Sequence, residues 1–87
     1  MAPSERQRLQ ARLEELKSLR VRATDDISAA QEAVERQRAE LAKAPEDAAR
    51  WEAYKQSVDN FNQATARAVE IERESHEVFM QIYSPKL

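Results

Sequence analysis

The chain has no glycine, no cysteine, a single histidine and only three prolines in 87 residues. Each shortage excludes something. Sandwiches, barrels and phosphate-cradling loops need glycine at their tight turns, so none of these is expected. Without cysteine there is no disulfide framework and no thiolate metal site, and the compartment stays open on that count. Aromatic residues make up 6% of the chain, and no apolar run approaches the roughly 20 residues that cross a membrane. The first residues lack the apolar stretch of a signal peptide. The chain therefore reads as soluble and cytoplasmic, with export that uses no cleavable signal left open. A net charge of −2 gives no overall field that attracts nucleic acid or anionic lipid.

What is present is helix-forming material. The chain is 34% charged, and alanine, glutamate, arginine, glutamine and leucine dominate it. From Leu9 to Leu41, apolar and small residues recur in alternating steps of four and three: Leu9, Leu13, Leu16, Arg20, Ala23, Ile27, Ala30, Val34, Gln37, Leu41. This is a sustained heptad seam. Ser4 reads as its N-cap, with Gln7 completing a capping box. A helix over about 4–43 would be roughly 60 Å long. Pro45 disfavours α geometry at Ala44 and marks a turn at 44–46. A second helix over about 47–83 follows, with a tail at 84–87. Its apolar seam reads Trp51, Tyr54, Val58, Phe61, Ala64, Ala68, Ile71, Ser75, Val78, Ile82. The step from Phe61 to Ala64 is three where four is due, a phase change of the stammer type.

Folded back about the turn, the two seams match. Leu9 falls opposite Ile82, Leu13 opposite Val78, Ala23 opposite Ala68 and Ala30 opposite Phe61, so large meets small at Phe61 and small meets small at Ala23 and Ala68, an alternation that lets layers interdigitate. Charges agree with this register. Residues 1–22 carry six Lys/Arg and three acids, and they face Glu70, Glu72, Glu74 and Glu77. Lys17 is expected opposite Glu74, and Arg20 between Glu70 and Glu72. The expected fold is all-α: an antiparallel two-helix hairpin of the coiled-coil type, one domain over 1–87, assembling into a dimer or small bundle.

Chemistry is harder to find. His76 in "HEVFM" suggests a zinc-protease helix, but the second histidine of that motif is replaced by Met80. With no other histidine and no cysteine, His76 reads as a surface or interface residue. A hairpin has almost no interior to make a catalytic pocket, so no enzyme activity, cofactor or metal is expected. The basic start, "RQRLQARLEELKSLRVR", is a possible footprint for nucleic acid, yet its cations have acidic partners in the second helix. Trp51, Tyr54 and Phe61 read as core at the turn end. The terminal run "VFMQIY" remains, with Val78 and Ile82 on the seam and Phe79, Met80 and Tyr83 off it. An adjacent stripe of Val69, His76, Met80 and Tyr83, with Phe79 beside it and Leu19 and Val21 nearby, is the expected contact surface for a protein partner or a second copy.

The turn segment "LAKAPEDAARWEAYKQSVDNFNQA" resembles the turn and second-helix start of type III secretion needle subunits. The matching residues are Leu41, Ala42, Lys43 and Pro45, then Glu52, Tyr54 and the polar stretch Asn60 to Gln63. They cover about a third of the chain. The second proline or asparagine usual in needle turns is absent, and the first helix is longer and more charged. The resemblance implies a hairpin subunit that polymerises into a tube and is guarded by small chaperones. The function read from the sequence is thus a non-enzymatic interaction or assembly module. A chaperone or inhibitor that caps another protein's apolar helix is one alternative, and a nucleic-acid-associated coiled coil is another.

Overall fold

The computed structural model describes residues 3–83, and the expected tail at 84–87 lies outside them. Two helices fill this span, α1 (Pro3–Lys43) and α2 (Ala48–Tyr83). They fold back on each other as an antiparallel hairpin measuring 62 × 22 × 14 Å between Cα extremes. The chain is already helical at Pro3. Ser4 therefore lies inside the first turn and does not cap the helix.

The turn explains how the chain manages without glycine. The Ala44 N–H donates to the Leu41 carbonyl (3.1 Å), closing α1 with a tight last turn. The Asp47 N–H then donates to the Ala44 carbonyl (3.1 Å), forming a β-turn with Pro45 at its second position, where a fixed φ near −65° is favourable. No described residue has a positive φ, so no left-handed cap is needed. Asp47 is the N-cap of α2. Its Oδ1 accepts from the N–H groups of Ala49 (2.9 Å) and Arg50 (3.4 Å), and its carbonyl accepts from Trp51 N–H (3.1 Å). The helix starts one residue later than the sequence suggests because this side chain ends the turn.

Two side chains of the first turn of α2 reach back across the loop. Arg50 Nη1 donates to the Glu40 carbonyl (3.0 Å), one of the four carbonyls an α-helix leaves unpaired at its C-terminus. Its Nε lies 3.5 Å from Asp47 Oδ2. Trp51 Nε1 donates to the Pro45 carbonyl (3.0 Å), and the indole meets Tyr54 edge-on with ring centroids 6.1 Å apart. The Trp51 ring is nearly half exposed, so it is not the core anchor expected from the sequence. Covering the turn satisfies the indole N–H, which burial at the seam would have left to find another acceptor.

The core is narrow. Leu16 is completely buried and clusters with Val78 and Ile82, and Leu9, Leu13, Leu19 and Ile71 pack around them. Ala23, Ser57 and Ser75 are buried along the rest of the seam. Burial corrects the seam of α2. Ser57 is buried whereas Val58 is only half-buried, and Arg50 is half-buried whereas Trp51 is exposed. The seam runs Arg50, Tyr54, Ser57, Phe61, Ala64, Ala68, Ile71, Ser75, Val78, Ile82, with strict alternation of four and three and no stammer. A seam traced through apolar residues alone misses this, because two of its positions are filled by a serine and by the stem of an arginine. Ser57 is tolerated there because its hydroxyl donates to the Tyr54 carbonyl one turn back (2.6 Å). The register then pairs Arg50 with Leu41, Tyr54 with Gln37, Ser57 with Val34 and Ala64 with Ile27, in line with the pairs at the open end.

Candidate interaction face

The seam divides the hairpin surface into two faces of different chemistry. Helical residues advance about 100° each, so the side of the seam a residue occupies follows from its number. On one side Arg12 Nε donates to Glu74 Oε2 (2.6 Å), and the same guanidinium reaches Glu15 through Nη1. On the other side Arg20 holds Glu72 in a two-pronged contact, Nε to Oε1 at 2.6 Å and Nη2 to Oε2 at 3.1 Å. Arg12 rather than Lys17 takes Glu74, and Lys17 turns to Glu14 in its own helix (3.0 Å). Glu70 pairs with Arg73 (3.2 Å), which leaves Glu72 to Arg20. The Arg12 guanidinium donates to the Glu74 carboxylate and holds it below the usual carboxylate range; the Arg12 pKa is raised in turn by Glu74 and Glu15. Lys43 lowers Glu40 in the same way at the turn end, again chiefly by a hydrogen bond.

The Arg12–Glu74 face also carries Arg22, Asp26, Glu40, Arg67, Glu70 and Glu77 and, among the described residues, has no exposed large hydrophobic side chain. The Arg20–Glu72 face is different. Six large hydrophobic residues are exposed in the described chain: Val21, Trp51, Val69, Phe79, Met80 and Tyr83. Five of them, Val21, Trp51, Val69, Phe79 and Tyr83, project from this face, while Met80 lies on the back of α2, about 170° from the seam at Val78 and Ile82. Phe79 and Tyr83 are in contact, with ring centroids 4.7 Å apart. With Leu13, Lys17, Arg20, Glu72, Ser75 and His76 they line an open groove between the helices at the end remote from the turn.

Of the residues expected to form the contact surface, Val69, His76, Phe79 and Tyr83 share this face and are exposed, and Met80 is exposed on the back of α2. Leu19 does not join them. It projects to the opposite side of the seam and packs, partly buried, against the core cluster. Val21, two residues on, occupies the apolar face and is 62% exposed. The sequence reading also missed Trp51 as a member of the face. The signal was present: Trp51, Lys55, Val58, Asn62, Thr65, Val69, Glu72, His76, Phe79 and Tyr83 follow alternating steps of four and three along α2, a second stripe beside the seam. Assigning Trp51 to the core hid the lower half of that stripe.

No family description, no characterised protein and no solved structure matches this chain. Among the described residues there is no group of three metal-ligating side chains, and no helix is long and apolar enough to cross a membrane.

Proposed function

We propose that this chain is a non-enzymatic protein-interaction and assembly module that works by packing the apolar face of its hairpin against protein. The observation that carries this reading is the segregation of five of the six exposed large hydrophobic residues on one of the two faces, with none of them on the other. A solvated hairpin needs no such segregation, since single exposed apolar residues scattered over a surface are ordinary and a contiguous stripe is not. The two seams already cover one another, so the stripe is surplus to the hairpin itself.

Two kinds of module fit. One is a self-assembling subunit, the kind the needle-like turn segment implies. The other is a chaperone or inhibitor that takes another protein's apolar helix into the groove between Leu13 and Phe79. The nucleic-acid reading is disfavoured by the pairing of Arg12, Lys17 and Arg20 with Glu74, Glu14 and Glu72. Weak retention on heparin, with little salt dependence, is the expected result.

The test is a triple substitution, Phe79→Ser, Met80→Ser and Tyr83→Ser. Helicity by circular dichroism should be largely kept, while self-association and binding of a hydrophobic dye such as ANS should be lost. Unfolding of the triple variant would instead make the stripe part of the core and defeat the proposal.

A further inference from the structure

We infer that the apolar face is covered by a second copy of this chain, packed face to face and antiparallel to form a four-helix bundle about a two-fold axis. The inference rests on the interaction reading above and names the occupant.

A two-fold contact demands a self-complementary surface: if residue i meets residue j, then j must meet i. The stripe on α2 has this property in composition as well as spacing. It is bulky at both ends and slim in the middle. Reversed about residue 67, Trp51 meets Tyr83 of the second copy, the stem of Lys55 lies against its Phe79 and Val58 meets its His76, so the aromatic ends are covered. Thr65 then meets Val69 of the second copy near the axis, where short side chains let the helices approach.

The same axis gives a consistent answer on α1. In the hairpin register, the residue of α1 level with position 67 is Thr24. The face of α1 around it carries Val21, Thr24, Ser28 and Gln31, short or uncharged residues. Thr24 and Thr65 both turn their hydroxyls back to their own helix, donating to the carbonyls of Arg20 and Phe61 at 3.0 Å. Their hydroxyl protons are therefore already placed, and burying these residues at the axis strands no donor. The ion pairs Arg20–Glu72 and Lys17–Glu14 on the face are likewise completed within the chain.

Size agrees. The broad side of the hairpin is 62 by 22 Å, larger than the ~800 Å² per partner buried in a standard stable interface. In this arrangement the turn of each copy lies beside the open end of the other, and the two charged faces remain in water.

The chain contains no cysteine, so single cysteines can be introduced and spin-labelled without background. Two positions at the outer edge of α2 distinguish the arrangements. Light scattering across a dilution series should show a rise from 10.0 kDa to twice that mass. In the dimer, labels at Ala66→Cys sit near the axis and should be close, roughly 15–20 Å apart. Labels at Glu52→Cys lie fifteen residues from the axis in each copy and should be about 45 Å apart at a rise of 1.5 Å per residue. Similar short distances at both positions would mean that the turns lie together, which overturns the antiparallel arrangement and leaves the interaction reading standing. A mass of 10.0 kDa at every concentration, with ANS binding that the triple variant loses, overturns the second copy as occupant and points to a different protein partner. A constant monomer that binds no dye defeats both proposals.

Discussion

Replacing Leu16 with alanine should be the most damaging single truncation in the hairpin. Leu16 is the only large side chain with no solvent exposure among the described residues, and Leu9, Leu13, Leu19, Ile71, Val78 and Ile82 surround it. Truncation removes the transfer free energy of the lost methyl and methylene groups and adds the cost of whatever cavity remains, about 2–5 kcal/mol in well-packed sites. The helix ends nearby are free to close in, and alanine is the better helix former, so the lower part of that range is expected: about 2–3 kcal/mol. A chain of this length has a total stability of about 4–13 kcal/mol, so the loss is a large share. The assay is urea unfolding followed by circular dichroism at two protein concentrations, with Val21→Ala as the exposed control. At the lower concentration the control should change stability by less than about 0.5 kcal/mol. A Leu16→Ala loss no larger than that of the control would refute the packing described around Leu16.

Three further outcomes follow from the turn and the ion pairs. Asp47→Ala removes the cap of α2 and should cost about 1 kcal/mol in the same unfolding assay, whereas Ser4→Ala, inside α1, should cost little. Trp51→Phe removes the indole N–H that donates to Pro45 while keeping the ring; it should cost about 0.5–1.5 kcal/mol and raise proteolytic nicking in the turn. Glu74 titrates below its ordinary 4.5 because it accepts from Arg12. A depressed folded-state pKa stabilises above the unfolded value and loses that contribution as pH falls through the folded one. Stability measured against pH should therefore fall below about 4.5, and Glu74→Gln should flatten that fall. An unchanged pH profile in the variant would show that the pair contributes nothing.

Much of the hairpin was legible in the sequence because heptad spacing is a long-range signal: ten positions from Leu9 to Leu41 hold one phase. The seam of α2 was harder. A reading by apolarity selects Trp51 and Val58, but the buried positions are held by Ser57 and the stem of Arg50. Serine is buried without penalty only because its hydroxyl finds the Tyr54 carbonyl, and an arginine stem packs while its head reaches Glu40. Neither fact is visible in residue type. The turn was located by Pro45, but its geometry depended on backbone bonds among Leu41, Ala44 and Asp47. The ion-pair partners were half legible. Arg20 meets Glu72 as its position suggests, whereas Lys17 projects to the side of the seam away from Glu74, which Arg12 takes instead. For the apolar face, the exposed residues Phe79 and Tyr83 near the end of α2 were readable from "VFMQIY". Leu19 was misplaced because closeness in sequence does not say on which side of a seam a residue falls, and two residues separate it from Val21 by about 200°.

The account stands on the proposal that the face bearing Val21, Trp51, Val69, Phe79 and Tyr83 is a protein contact surface. Sedimentation equilibrium of the wild-type chain and the Phe79→Ser, Met80→Ser, Tyr83→Ser variant, over the same concentration range, tests it most directly. The account predicts a wild-type mass that climbs from 10.0 kDa with concentration and a variant that stays helical at 10.0 kDa throughout. Equal association by both, or a variant that has lost its helices, would contradict it.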